Sequence, residues 1–177
     1  MQHKKKKNGK LKGNNFELIV SHLLTDWTGK KHEFNRTPGS GGSQWKEDNN
    51  VTGDIVPPFK LCFPVSIECK KQEIDWQFDR FLTFTSEIYD WWEQCKRDAI
   101  KYNRIPWLIF SKNYRSIYIM LKGSDLLKYK AITSGLVDEI PCFCLVYNSE
   151  ELVVLDFKKW LDSITLEEVL KVKNNKL

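Results

Sequence analysis

Apolar positions recur along this chain with two different periods, and the switches between them outline its elements. Phe16, Ile19, Val20, Leu23, Leu24 and Trp27 repeat at three- and four-residue steps, which predicts a helix over 11–27 that Thr28-Gly29 ends. Residues 32–37 read as a short strand. The stretch 38–50 is a loop rich in Gly, Ser and Asn, with Trp45 inside it. A short strand at 53–56 is broken by Pro57-Pro58, a second strand follows at 63–70, and 71–82 has no regular period. Ile88, Trp92, Cys95, Ala99 and Tyr102 form one stripe of a second helix over 84–103. Strands at 106–110 and 116–121 are expected to pair through the turn at 111–115. Apolar strands near 142–147 and 151–155 precede short helices from about 156. The order predicts an α/β fold, a mixed sheet flanked by helices, with no internal repeat.

Composition bounds this picture. With 177 residues, 41% apolar and 29% charged, the chain is expected to form one domain with a substantial core. No run of apolar residues is long enough for a transmembrane helix, and the N-terminus lacks the apolar segment of a secretory signal. Five cysteines, an odd number, fit free thiols in a reducing compartment such as the cytoplasm. All five read as small core residues.

Charge is uneven. Residues 1–12 hold six lysines and no acid, which leaves 22 basic against 23 acidic residues in the rest of the chain. A disordered basic arm over 1–10 on a near-neutral body suits a DNA or RNA partner, and equally a solubilising or localising tail. Three histidines with no H-x-x-x-H pair argue against His-rich metal sites and HNH-type nucleases. Gly29-Lys30 lacks the rest of a P-loop, and Cys142-Phe143-Cys144 has the wrong spacing for a zinc knuckle.

The informative chemistry lies in Gly53-Asp54-Ile55 and Ile67-Glu68-Cys69-Lys70. Strand alternation sends Val65, Ile67 and Cys69 one way and Ser66, Glu68 and Lys70 the other. A hairpin turn centred near Leu61 would set Asp54 opposite Glu68. Two carboxylates beside a lysine suit a hard divalent cation, with the lysine orienting the attacking water or stabilising charge on phosphate. Glu68 and Lys70 alone would more commonly be a surface ion pair; Asp54 upstream shifts the balance toward a site. Glu17 continues the stripe of Val20 and Leu24, where an acid is either a third carboxylate at the site or a helix-start residue favoured by the dipole. Arg36 precedes a glycine-serine loop whose Ser40 and Ser43 offer hydroxyls to a phosphate. Gln94, beside the second helix's stripe, is a candidate for a phosphate or the nucleophilic water, and Trp45 for stacking on a base.

In this order and spacing, these segments resemble the PD-(D/E)xK nuclease superfamily, and within it the archaeal- and phage-type Holliday junction resolvases. The resemblance runs from about Leu11 to Phe110: Asn15-Phe16-Glu17, Arg36-Thr37-Pro38-Gly39-Ser40-Gly41-Gly42, Gly53-Asp54-Ile55, Glu68-Cys69-Lys70, and Gln94 ahead of Pro106-Trp107-Leu108. Three features depart from it: Gly53 stands where the motif has proline, the Pro38–Asn50 loop is longer than a minimal resolvase needs, and 111–177 extends past the family core. The resemblance implies a restriction-endonuclease-like core over 11–121 with a C-terminal extension over 122–177. It implies Mg²⁺ or Mn²⁺ held by Asp54 and Glu68 with support from Glu17, and Lys70 assisting the hydrolytic water. Arg36, Ser40 and Ser43 would contact the DNA backbone, and Lys71 and Gln94 complete the residues expected at DNA. The function expected is a metal-dependent DNA endonuclease acting on branched or duplex DNA, foremost a junction-resolving homodimer. Trp91-Trp92, Trp107 and the 141–155 strands are the segments in which to seek its interface. A homing- or restriction-like endonuclease and a non-catalytic nucleic-acid-binding module are the alternatives.

Overall fold

The computed structural model describes residues 4–37, 52–72, 78–112, 115–129 and 140–172. Ser40, Ser43 and Trp45 lie outside them. Helix α1 spans Lys4–Trp27. It begins well before the expected start and takes in most of the stretch read as a disordered arm. Lysine is a good helix former, and an established helix adds residues far more readily than it nucleates. Along α1, Phe16, Val20 and Leu24 are buried, whereas Ile19 is 44% exposed.

Five strands form the main sheet in the order β3-β4-β5-β7-β6: β3 Val65–Gln72, β4 Ile105–Lys112, β5 Ile117–Lys122, β6 Cys142–Tyr147 and β7 Glu150–Asp156. Only β3 and β4 run parallel; the other neighbours are antiparallel. The parallel pair is joined through α2 (Phe78–Leu82) and α3 (Glu87–Lys101), since parallel strands need a crossover. The hairpin β6-β7 turns on Asn148 and Ser149, both at positive φ, as a two-residue hairpin turn requires. The chain order thus brings residues 142–156 into the same sheet as the candidate motif.

Alternation on β3 and β4 splits the core in two. Val65, Ile67 and Cys69 of β3 and Ile105, Trp107 and Ile109 of β4 pack with Phe16, Val20 and Leu24 of α1. Phe157, Trp160 and Leu161 of α5 (Phe157–Ser163) join that layer, as does Val169 of α6 (Leu166–Lys171). Leu108, Phe110, Met120 and Leu152 face the other way, against Ile88, Trp92 and Cys95 of α3. A short helix missed by the sequence reading, α4 (Gly123–Leu126), follows β5 directly.

α3 has the signals a stable helix needs. Ser86 caps it, accepting from the Ile88 N–H; Glu87 and Asp90 sit in its first turn and Lys101 in its last. It is tied across the sheet by Glu150, which bridges Lys96 Nζ (2.7 Å) and Lys122 Nζ (2.8 Å). Trp92 and Trp107 are wholly buried, so neither can serve a subunit interface. Cysteine placement also differs from expectation. Cys69 and Cys95 are buried, but Cys62, Cys142 and Cys144 are exposed. Cys142 and Cys144 lie on β6 at one edge of the sheet, where alternate residues have no layer above them. No helix among the described residues is long and apolar enough to cross a membrane.

Candidate active site

The site forms along β3, the strand at one end of the main sheet. Beside it lies a small two-stranded sheet, β1 (Asn35–Arg36) paired antiparallel with β2 (Ile55–Val56). Gly53 forms a parallel bridge with Ile67. The expected hairpin that would set Asp54 opposite Glu68 is therefore not what brings them near. The chain after β2 passes Pro57-Pro58, turns at Leu61 and returns to run alongside in the same direction. Asp54 N–H donates to Ile67 O (2.7 Å), and Thr37 holds the same segment by donating N–H to Asp54 O (2.8 Å) and Oγ1–H to Gly53 O (2.9 Å).

That close approach explains the glycine. Gly53 has φ +72°, and a Cβ there would stand 2.2 Å from Ile67 O. Proline cannot adopt positive φ, and any Cβ would push the segment off β3. The departure from the resembled motif is thus a local requirement of this backbone.

Asp54 Oδ2 accepts the Cys69 N–H at 2.8 Å, which aims its carboxylate along β3. Glu68 is buried, and its Oε1 accepts from two donors, Lys70 Nζ at 2.7 Å and Gln94 Nε2 at 3.0 Å. Gln94 Oε1 accepts in turn from Lys70 Nζ at 3.1 Å. Glu68, Lys70 and Gln94 therefore close a triangle between β3 and α3. This is the same-face placement that strand alternation predicts, with a glutamine bridging the pair. Glu17 of α1 is 3.6 Å from Arg36 Nε, so the arginine expected at DNA is here an ion-pair partner of the third acid. Lys71 Nζ lies 5.6 Å from the centroid of the Phe16 ring, a cation–π contact at the side of the site.

Electrostatics tie these groups together. Burial pushes the Asp54 carboxyl up to about 6, against the Cys69 hydrogen bond that lowers it; Glu17 and Asp98 add to the rise. Burial likewise pushes Glu68 to about 6, reinforced by the Asp54 charge and opposed by Lys70. Glu17 is raised by burial and by Glu68, with Arg36 pulling it back. Asp98, which the sequence reading did not single out, raises both Asp54 and Glu68. The available signal was its spacing, one helical turn past Gln94 on the same face of α3.

Raised carboxyls have a stability consequence with a definite sign. Both neutral forms are favoured in the folded chain, so the stabilisation is complete below the ordinary values of 3.8 and 4.5 and is lost as pH rises through about 6. Asp54→Asn keeps an oxygen for the Cys69 N–H and removes the charge. At pH 7.5 without metal it should raise unfolding stability by about 1–3 kcal/mol, and by nothing near pH 3.5. Thermal melts in EDTA at both pH values check this; equal melting temperatures at pH 7.5 would show that the acids do not strain the fold.

Asp54 and Glu68 are hard oxygen donors that repel each other, which suits a divalent cation bound by two carboxylates, waters and phosphate oxygens. Among the described residues no three His, Cys, Asp or Glu side chains are gathered as a metal-binding group. Glu17, held by Arg36, does not complete a set with the other two in this arrangement.

Residues 8–171 match the family described as "Phage putative PDDEXK endonuclease". The chain is 30% identical to Protein D14 of Escherichia phage T5, over 90% of this chain and 96% of that one. No solved structure matches it. The match reaches from α1 through α6, and the helix-flanked mixed sheet is that of a restriction-endonuclease-like fold. Sequence match, fold and the Asp54–Glu68–Lys70 arrangement agree that the chain belongs to the family of phage PDDEXK endonucleases.

Proposed function

We propose that this chain is a metal-dependent DNA endonuclease selective for branched DNA, acting as a two-fold homodimer. The observation that carries the reading is the Glu68–Lys70–Gln94 triangle beside Asp54 at the end of the sheet. In this reading Asp54 and Glu68 hold a divalent cation, Mg²⁺ or Mn²⁺. Held there, a divalent cation would supply Lewis-acid chemistry, polarising the scissile phosphate and a water. Glu68 Oε1 accepts from Lys70 and Gln94, which leaves its second carboxylate oxygen for a cation. Gln94 Oε1 and Glu68 Oε1 hold Lys70 Nζ in place between them, where the ammonium would stabilise charge on the phosphate or orient the attacking water. Glu17 and Arg36 act at the outer side of the site. The arginine is free to pair with a backbone phosphate once the Glu17 contact opens. Lys71, Ser40, Ser43 and the lysine-rich start of α1 contribute backbone contacts, and these make affinity salt-dependent.

Symmetry follows from the chemistry. One such cluster cuts one strand, and resolving a four-way junction requires two symmetric cuts. A closed two-fold dimer is the commonest way a chain supplies two sites.

The test is cleavage of a four-way junction, a flap, a linear duplex and a single strand side by side with Mg²⁺. A further reaction uses a mixture of wild-type and Lys70→Ala chains. The expected result is preferential junction cleavage, with nicked but unresolved junctions accumulating in the mixture. Resolution by a protein that sediments as a strict monomer would overturn the dimer. Cleavage confined to linear duplex would overturn the branched substrate and leave a duplex endonuclease. No cleavage of any substrate would favour a non-catalytic binding module.

A further inference from the structure

Helix α2 ends on an unusual residue. Thr85 N–H donates to Arg80 O (3.0 Å) and Phe84 N–H to Phe81 O (3.4 Å), the bonding of a helix end that requires one residue in the left-handed region. That residue is Phe84, at φ +55°. Glycine or asparagine is usual there, and α3 follows the rule with Asn103 at φ +54°. A phenylalanine is disfavoured because its Cβ crowds the backbone. Burial does not fully offset this, since Phe84 remains 49% exposed and Leu82 beside it 58% exposed.

The ring rests on a rigid base. Tyr89 and Tyr147 stack with centroids 4.5 Å apart, and Phe84 contacts them at 5.3 Å and 5.5 Å. Exposed neighbours in sequence carry polar groups: the Arg80 guanidinium, and the Thr83 and Thr85 hydroxyls, which are hydrogen-bonded to each other at 3.0 Å while Thr83 donates to Asp79 O at 2.9 Å. Asp79 on the same helix balances Arg80, so an aromatic face rather than net charge distinguishes the patch. A half-exposed aromatic ring matches the face of a nucleobase, and an exposed arginine on the same helix suits the phosphate that accompanies it. Tyr89, which supports the ring, precedes Gln94 of the site by about 7.5 Å of helix rise along α3, and Tyr147 stands on β6, at the opposite edge of the sheet from β3, so the patch is separate from the Asp54–Glu68 cluster.

We propose that Phe84 is a stacking platform for an unpaired nucleobase of the substrate, its backbone conformation holding the ring outward. This rests on the nucleic-acid reading of the site and adds to it a second contact point that selects unpaired over paired DNA.

The experiment uses the full chain in EDTA, so binding is read without cleavage. The probes are a duplex with a short single-stranded gap carrying 2-aminopurine and the same duplex fully paired. Phe84→Gly is expected to weaken binding to the gapped probe about tenfold and abolish quenching of the 2-aminopurine, while changing paired-duplex affinity less than twofold. Its melting temperature should hold or rise, because glycine suits the backbone. Phe84→Trp should retain both binding and quenching. Equal effects on the two probes, or none, would overturn the platform. So would a marked drop in melting temperature, which would make the ring a packing residue, or conversion of a dimer to a monomer, which would make it an interface. If wild type binds neither probe and cuts nothing in Mg²⁺, the nuclease reading fails with it. If it cuts DNA but quenches nothing, only the platform fails.

Discussion

Lys70→Ala is expected to lower cleavage by at least about a thousandfold while binding of DNA changes little. Lys70 Nζ is held at 2.7 Å from Glu68 and 3.1 Å from Gln94, so its position is set by two partners on two different elements. Without the ammonium, Glu68 retains Gln94 as its donor, and the Asp54 charge that raises it is no longer opposed by Lys70. The fold should tolerate this, because Lys70 is only partly buried and makes no contribution to either core layer. Glu68→Ala should lose at least as much, since it removes a proposed cation ligand and also leaves Lys70 without its nearest partner. Single-turnover cleavage at matched Mg²⁺, alongside circular dichroism and a DNA-binding titration, checks both variants. Turnover within tenfold of wild type in either would remove that residue from the catalytic set.

Gly53→Ala should be destabilising out of proportion to one methyl group, by about 2–4 kcal/mol. Two effects add. The backbone at φ +72° disfavours any side chain, and the new Cβ would lie 2.2 Å from Ile67 O and 2.9 Å from Ile67 C. Both contacts are to backbone within a strand, which cannot rotate away. The relief available is for residues 53–54 to lift from β3. That breaks the Asp54 N–H to Ile67 O bond and moves the Asp54 carboxylate away from the Cys69 N–H. Activity should therefore fall even at temperatures where the variant remains folded. Chemical denaturation and cleavage at low temperature measure the two parts separately. A variant as stable as wild type with full activity would show that Asp54 does not depend on this contact.

Much of the molecule follows from patterns local in the sequence. The stripe of Ile88, Trp92, Cys95 and Ala99 is a helix because its 4-3-4 spacing places all four on one face, and that face is buried. The alternation on 65–70 put Glu68 and Lys70 on the same side because strand geometry allows nothing else, and 2.7 Å separates them. Glu17 was legible as an acid in an apolar stripe. Where residues far apart in the chain must meet, local pattern does not suffice. A hairpin between 53–56 and 63–70 is the local expectation, whereas Gly53 bridges Ile67 in parallel. A local pattern gives the face of a strand but carries no information on the direction of its neighbour.

Local pattern was thus enough for the longer elements and the two faces of β3, but not for the short helices α2 and α4 or the early start of α1. The former depend on periods of two or of about 3.6 residues. Packing between elements is what makes Gln94 lock Glu68 to Lys70, brings Arg36 to Glu17, sets Asp98 near the two acids and leaves Phe84 half-open on two tyrosines. It also decided that Cys142 and Cys144 are exposed, because they lie at an edge of the sheet and no pattern in the sequence marks an edge. These are contacts between elements, set by strand order and by where a helix crosses the sheet, and those depend on the packing of the whole chain.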